Sequence, residues 1–530
     1  MGVDYVCIFL LPLWLPFTSF SSLTVAFCGL LVSTCGWGWK SFMMAYSTSD
    51  ISQTASHLCT QQRVLWTTLI VVCSAFIFSM WFGMNSDRDN VHPLLTQLIP
   101  AGHCTCQTST SFQCSDCFTC LASSKPLPGN SSSLTWEYQY GRDDWNLSLN
   151  KDQCEASFPG LFQDICRGVE FWKWQGAVTD EILSAAPLKN GMAWAMIHDG
   201  ELYVIATRAM GEDHRRKIVV TLSAMYRLLS ASPTRETTPN IEFIFSVEDR
   251  VDDVGAVGHP IWVFSRKASE ESVWLMPDFG YWLWGHLSNN IRPYGQAVDR
   301  VLATESSLPF LEKTKKLVWR GKLSFTPKLQ RALLDTAWNK EWGDVKELDW
   351  SKKANFLSME DHCKYMFIGH VEGIAILPLH SFIIDNDWFM YTTGCSYSAS
   401  LKYRQACRLV IIAHKLQYIE HHHYLLVPLG PHQNYVEVER DFSDLPQVMD
   451  WLLQNPGKAE TIANNNVKAF HERYLTQAAE SCYWRALWEG WGEASNMTMA
   501  LGSVYERGLR YELFLLLDSK DMMQFSFAHG

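Results

Sequence analysis

The run NIEFIFSVED, Asn240 to Asp249, is an apolar stretch that closes on two acids. A carboxylate at the end of a buried strand can take the proton of an incoming hydroxyl, a step worth about 10²- to 10⁴-fold. A second run, KLVWRGK, ends with Arg320 beside Gly321. Guanidinium groups match phosphate oxygens through two parallel bonds, and glycine lets a ligand or backbone come close. Arg331 lies on the helix expected to follow. Asp249 as base, with Arg320, Gly321 and Arg331 around a departing diphosphate, would transfer a group to an alcohol. The plainer alternatives are a solvated strand-terminal carboxylate for Asp249 and surface ion pairs for the arginines.

Other clusters invite metal chemistry. Glu420 precedes His421, His422 and His423. Read as a strand, this run puts His421 and His423 on one face and His422 on the other, so the three do not converge on an ion and are expected to line a cleft. FIIDND, with Asp385 and Asp387, imitates the apolar strand and DxD pair by which metal-dependent transferases hold a cation and a diphosphate. Cys104, Cys106, Cys114, Cys117 and Cys120 have spacings compatible with zinc thiolates, but no second CxxC or His pair follows, and local disulfides fit better.

Strands must alternate with helices to place these groups. MAWAMIHDGELYVIAT reads as a hairpin turning at Asp199-Gly200. NIEFIFSVED, KLVWRGK, CKYMFIGHVE and RLVIIA read as buried strands. Helices are expected from Pro327 to Trp338, over YSASLKYRQAC, from Ser443 to Gln454, from Pro456, and after Thr476; YERGLRYELFLLLD reads as amphipathic helix. This alternation implies parallel sheets whose ligands sit at the carboxyl ends of the strands. No GxGxxG fingerprint accompanies it.

Several stretches in fixed order, PFLEKTKKLVWRG, HCKYMF, SYSASLKYRQACRLVI, EHHHYLLVPLGPHQNYVEVERDFSDLPQVMDWLLQN and CYWRALWEGW, together resemble glycosyltransferase family 90, its fungal branch most, over roughly 191–491. The resemblance implies an α/β fold of GT-B type, two Rossmann-like domains facing a cleft. It also implies a UDP-sugar donor, inversion at the anomeric carbon and no metal or other cofactor. Asp249 falls at the family's acceptor-side base; Arg320, Gly321 and Arg331 fall near the donor, as do Ser398 and Lys402 in an S-x-x-x-K helix and Glu420 before the histidines. Two departures stand out. Residues 374–393 interrupt the family pattern as a suspected insertion, within which Asp385 and Asp387 would be accidental. Ser400 stands where the family commonly has arginine, and one lost charge-assisted bond, about 1.5–3 kcal/mol, would weaken donor binding by one or two orders of magnitude. A catalytically impaired member is therefore the alternative reading.

Context comes from composition and the N-terminal third. The 530 residues carry 44 basic and 55 acidic side chains, a net charge of -11, which disfavours nucleic acid. Residues 64–84 contain an uncharged run long enough to span a bilayer. Residues 1–63 form a hydrophobic, cytosolic segment with room for an extra span. Residues 85–190 read as a luminal stalk and Cys-rich linker, 191–310 as the acceptor-side domain, 311–491 as the donor domain, and 492–530 as a tail. Glycosylation tripeptides at Asn130, Asn146 and Asn496, all beyond the span, favour a luminal catalytic part. A type II Golgi membrane protein is expected, with the endoplasmic reticulum as alternative. The expected partners are a UDP-sugar, a glycan or glycoprotein acceptor, and the membrane itself.

Overall fold

A computed structural model describes residues 136–249, 256, 258–282, 293–321, 323, 327–349, 354–372, 397–497 and 507–527. All belong to a compact unit spanning Ile99–Gly530. The expected transmembrane segment, the cysteine cluster, Asn130 and the suspected insertion with Asp385 and Asp387 lie outside the described residues. Among the described residues no helix is long and apolar enough to cross a membrane.

Two large sheets and one two-stranded ribbon are formed by the described residues. The first contains β1 (Met192–His198), β2 (Glu201–Arg208), β3 (Ile241–Ser246), β4 (Ile261–Val263) and β6 (Trp274–Leu275). Asp199 and Gly200 both have positive φ, 49° and 71°, so β1 and β2 close as the tight hairpin their sequence predicts. A side chain at position 200 would also collide with the Arg235 carbonyl, 2.7 Å from where its Cβ would stand. β1 pairs antiparallel with β3, whereas β3, β4 and β6 run parallel. Half of this sheet therefore departs from the all-parallel expectation. The reason is the two-residue hairpin, which leaves no chain for a crossover.

The tail changes role as well. YERGLRYELFLLLD is not one amphipathic helix: β13 (Leu509–Arg510) adds to the β2 edge and interrupts it before the helical turn Tyr511–Phe514. Tyr511 and Phe514 are buried against the first core. Residues 136–190 are likewise no stalk where described. Asp164, Ile165 and Trp172, on α1 (Gln163–Trp174), are buried in this lobe.

The second sheet is wholly parallel, in the order β12 (Val436–Val438), β10 (Val410–His414), β9 (Tyr365–His370), β7 (Thr314–Gly321), β8 (Gly343–Glu347). Alternate residues feed two separate cores. Leu317, Trp319, Phe367, Val410 and Ile412 pack with α4 (Pro327–Ala337), α6 (Leu445–Gln454) and α7 (Pro456–Asn466) on one face. Val318, Ile368, Ile411 and Ala413 pack with α3 (Tyr294–Ser306) and α5 (Leu401–Gln405) on the other. Helices on both faces make a doubly wound unit, and its strand order reverses between β7 and β9. Ligands of such sheets bind at that reversal, beyond the carboxyl ends of the strands.

After the second sheet the chain crosses back. Thr476 caps α8 (Gln477–Ala494) by accepting from the Ala479 N–H, and this helix lies against the first lobe. Trp491 sits edge-on to Trp262 and Trp274, with ring centres 5.4 and 5.3 Å away, and Trp262 stacks on Phe243 at 4.0 Å. The approach is close because Gly168 and Gly490 stand where side chains would meet Trp274 and Ile165. Cys154 and Cys482 are joined by a disulfide across 328 residues, tying the N-terminal helices to α8; Cys363 and Cys407 are joined within the second lobe. Replacing Cys154 and Cys482 by alanine should cost about 2–4 kcal/mol, read as a lower Tm in calorimetry. An unchanged Tm would show that the cross-link does not constrain the unfolded chain.

Candidate functional site

The carboxyl edges of both sheets supply the candidate residues. Asp249 follows β3 and Asp278 follows β6, so both stand at one edge of the first sheet. Asp249 is one-third exposed, and Lys217 of α2 (Glu212–Ser230) holds its ammonium 3.9 Å from the carboxylate and 5.4 Å above the Phe279 ring. Phe279 packs edge-on to Phe264, which tilts against Tyr397. Burial raises the Tyr397 hydroxyl well above its usual range, and the charges of Asp278, Asp249 and Glu420 add to the effect. One tyrosine thus feels three carboxylates, two from the first sheet's edge and one from the histidine segment.

Lys402 crosses the gap. It lies on α5, is 2% exposed, and its ammonium sits 2.5 Å from Asp278 Oδ2 between the rings of Tyr281 and Tyr403. Gly280 is required there, because a Cβ would stand 3.0 Å from the Lys402 nitrogen. Glu480 of α8 lies close by, accepting from the Trp282 indole at 2.8 Å, and burial pushes its carboxyl up to about 8.

The histidine segment is not the strand expected of it. Only Tyr418–Ile419 is extended, as β11, pairing with β5 (Arg266–Lys267); Glu420 to His423 then turn into a short helical coil, because Tyr424 must reach back to Asp164. Asp164 is fully buried, and Arg167 and Arg266 hold its carboxyl far below the usual carboxylate range against the cost of burial. His421 wedges between Tyr281 and Tyr483, and burial lowers it to about 3. His422 pairs with Gln405 at 3.1 Å, and His423 Nε2 lies 3.1 Å from Glu420 Oε1 without forming a hydrogen bond to it. The alternation argument against convergence therefore fails: donor atoms of Glu420, His422 and His423 lie within 4.8 Å of one another, close enough to share a small cation. Glu305, Cys363 and Cys407 also cluster, but those cysteines are spent in a disulfide.

At the reversal of the second sheet, Arg320 ends β7. Its side chain is 6% exposed and pairs with Asp344 at 2.9 Å, and Tyr365 donates to the same carboxylate. The Cβ of any residue at 321 would stand 2.2 Å from the Trp319 ring, so what approaches Gly321 closely is its own strand's indole. Arg331 is exposed on α4. Ser398 and Ser400 hydrogen-bond each other at 2.8 Å. Glu372, just past β9, accepts from the Gln417 and Tyr418 N–H groups, and burial raises it to about 7.

Sequence reasoning missed Lys217, Asp278 and Arg404. Arg404 is buried on α5, donates to the Gly369 carbonyl at 3.2 Å, and burial alone lowers it to about 10. The signal for it was its place one helical turn beyond Ser400. Glu248, next to Asp249, lines a depression of about 430 Å³ with Lys189, Asn190 and Arg208.

The profile of glycosyl transferase family 90 matches residues 150–501. Protein O-glucosyltransferase 1 of Rattus norvegicus is 20% identical over 265 residues, and that of Homo sapiens 21% over 266. Each alignment covers 47% of this chain and 61% of the relative, so the chain spans less than two thirds of their length.

Two outcomes follow from the geometry. Lys402→Met should cost about 3–5 kcal/mol by leaving Asp278 buried and alone, while Lys402→Met with Asp278→Leu should recover most of it; equal losses in denaturant unfolding would refute the pairing. Glu480 keeps its proton when folded up to about pH 8 but releases it near its ordinary value when unfolded. Stability should therefore fall as pH rises between those values, and Glu480→Gln should flatten that slope in melts taken from pH 5 to 9.

Proposed function

This chain belongs to glycosyl transferase family 90, and from that premise we propose that it transfers a sugar from a UDP-sugar to a hydroxyl of a glycan or protein, with inversion and without a divalent metal. The observation that carries the reading is the placement of Asp249: a part-exposed carboxylate at the edge of the first sheet, sharing Tyr397 with Glu420 and fixed beside Lys217. Asp249 takes the acceptor proton, and Lys217 stands beside it at 3.9 Å. The acceptor enters over the depression bordered by Glu248. The diphosphate is held by the second lobe, with Arg320, Gly321, Arg331, Ser398 and Lys402 as the residues around it.

The two α/β lobes and the helix returning from the second to the first support a GT-B arrangement. The relatives' name, protein O-glucosyltransferase, supports glucose as donor sugar and a protein acceptor; xylose remains the other candidate. Disulfides and the exposure of Asn146 and Asn496 support a luminal site. A type II anchor at 64–84 and a Golgi location complete the proposal, with the endoplasmic reticulum as alternative. A second reading, a chain that binds donor weakly and turns it over poorly, rests on Ser400, whose hydroxyl is occupied by Ser398.

Asp249→Asn should lower kcat with UDP-glucose or UDP-xylose by about 10²-fold or more while leaving the Kd for UDP unchanged; full turnover would remove the assigned base. EDTA should leave turnover unaltered, and its loss would instead implicate Glu420, His422 and His423. A UDP Kd in the millimolar range would favour the impaired reading.

A further inference from the structure

A second cavity lies away from Asp249. It measures about 140 Å³ and is bordered by Tyr140, Asp144 and Trp145 of the N-terminal segment, Tyr294 and Asp299 of α3, and Gln477 at the start of α8. The Tyr294 ring forms its floor and packs, on its far side, against Tyr281 and Tyr403, the rings that flank the Lys402 ammonium. A tyrosine layer thus separates this cavity from the Lys402–Asp278 pair.

Two of the residues around it carry a buried oxygen that has no hydrogen-bond partner among the described residues. Tyr294 Oη and Gln477 Oε1 are buried without a hydrogen bond, on side chains 4% and 6% exposed. Burying such groups unpaired is unfavourable unless something supplies the missing bond. The rest of the lining is rich in acceptors. His471 Nδ1 pairs with the Ala406 carbonyl and so carries the proton, which leaves Nε2 to accept from the Tyr140 hydroxyl at 2.7 Å. The Tyr140 hydroxyl also feels the carboxylates of Asp144 and Asp299. Among the described residues no lysine or arginine borders the space, so a phosphate or nucleotide is unsuited to it.

An apolar plate completes the set. Trp145 is 60% exposed, and its ring lies on Gly295, where a Cβ would stand 2.6 Å from it. A large, flat indole left in water beside converging hydrogen-bond acceptors is built for a ligand with one apolar face and a rim of hydroxyl donors. We propose that this cavity binds a neutral pyranose unit of a glycan, stacked on Trp145, with its hydroxyls donating to Asp144 and Asp299. The sugar has two possible sources, an external saccharide or the chain's own glycan at Asn146, the residue next to Trp145.

The test reads binding rather than turnover, so it succeeds or fails independently of the role given to Asp249. Full-length protein and its Asn146→Gln variant are titrated with methyl β-glucoside, methyl β-xyloside and methyl α-mannoside, followed by saturation-transfer NMR and tryptophan fluorescence. At least one glycoside should bind the Asn146→Gln protein, and Trp145→Ala in that background should weaken it by roughly tenfold or more with an unchanged Tm. Asp249→Asn should leave this binding as it was. Binding by both proteins supports an external saccharide; binding only after loss of Asn146 supports the chain's own glycan. No glycoside bound by the Asn146→Gln protein, no effect of Trp145→Ala, or saturable binding of tetramethylammonium displacing the sugar would each overturn the proposal.

Discussion

A lysine and an aspartate that barely touch water hold the two lobes to one another. Lys402 comes from the helix that leads into β10, Asp278 from the loop that leaves β6, and neither sheet alone contains both. Such a pair contributes little net stability over an apolar pair of equal volume, because desolvation offsets its attraction. What it does is fix position. A charge in that setting tolerates one partner geometry, and Gly280 and the Tyr281 and Tyr403 rings leave no room for another. The gap between the carboxyl edges of the two sheets is thereby set, and with it the distance any donor and acceptor must span.

The histidine turn reinforces the same junction by different means. Tyr424 donates to Asp164 beneath the first lobe, Gln405 of α5 meets His422, and His421 fills the space between Tyr281 and Tyr483. Burial keeps His421 and His422 neutral at physiological pH. They therefore join the lobes without adding charge where Glu420 lies near the cleft. Residues that invite a metal reading on sequence grounds thus also pack the junction between the lobes.

Elements set by local pattern were legible: the β1–β2 hairpin through Asp199-Gly200, the buried runs of β3, β7, β9 and β10, and α8 behind its Thr476 cap. Elements that exist through distant partners were not. β13 is two residues long and is a strand only because the β2 edge is open beside it. The 420–423 turn is imposed by Asp164, some 260 residues earlier in the chain. The site divides the same way. Asp249 and Lys402 stood out by motif and strand position, but Asp278 gave no local sign of being Lys402's partner 124 residues away. The partner of Arg320, Asp344, lies on the neighbouring strand, and parallel register is not visible in either run alone.

That pairing bears on how a diphosphate would be held. Lys402 is already neutralised by Asp278 and Arg320 by Asp344, so an incoming anion must share both cations with resident carboxylates. Arg404 differs: it donates to the Gly369 carbonyl, and among the described residues no carboxylate pairs with it. It lies one turn beyond Ser400 on the same helix, close to where β9 meets the strand-order reversal. A buried guanidinium with no carboxylate partner among the described residues is the one of the three an anion would relieve most. On the proposed function, the loss of arginine at 400 therefore does not leave the helix without a cation for the donor. It moves the uncompensated charge one turn deeper, where reaching it depends on how the donor seats rather than on charge alone.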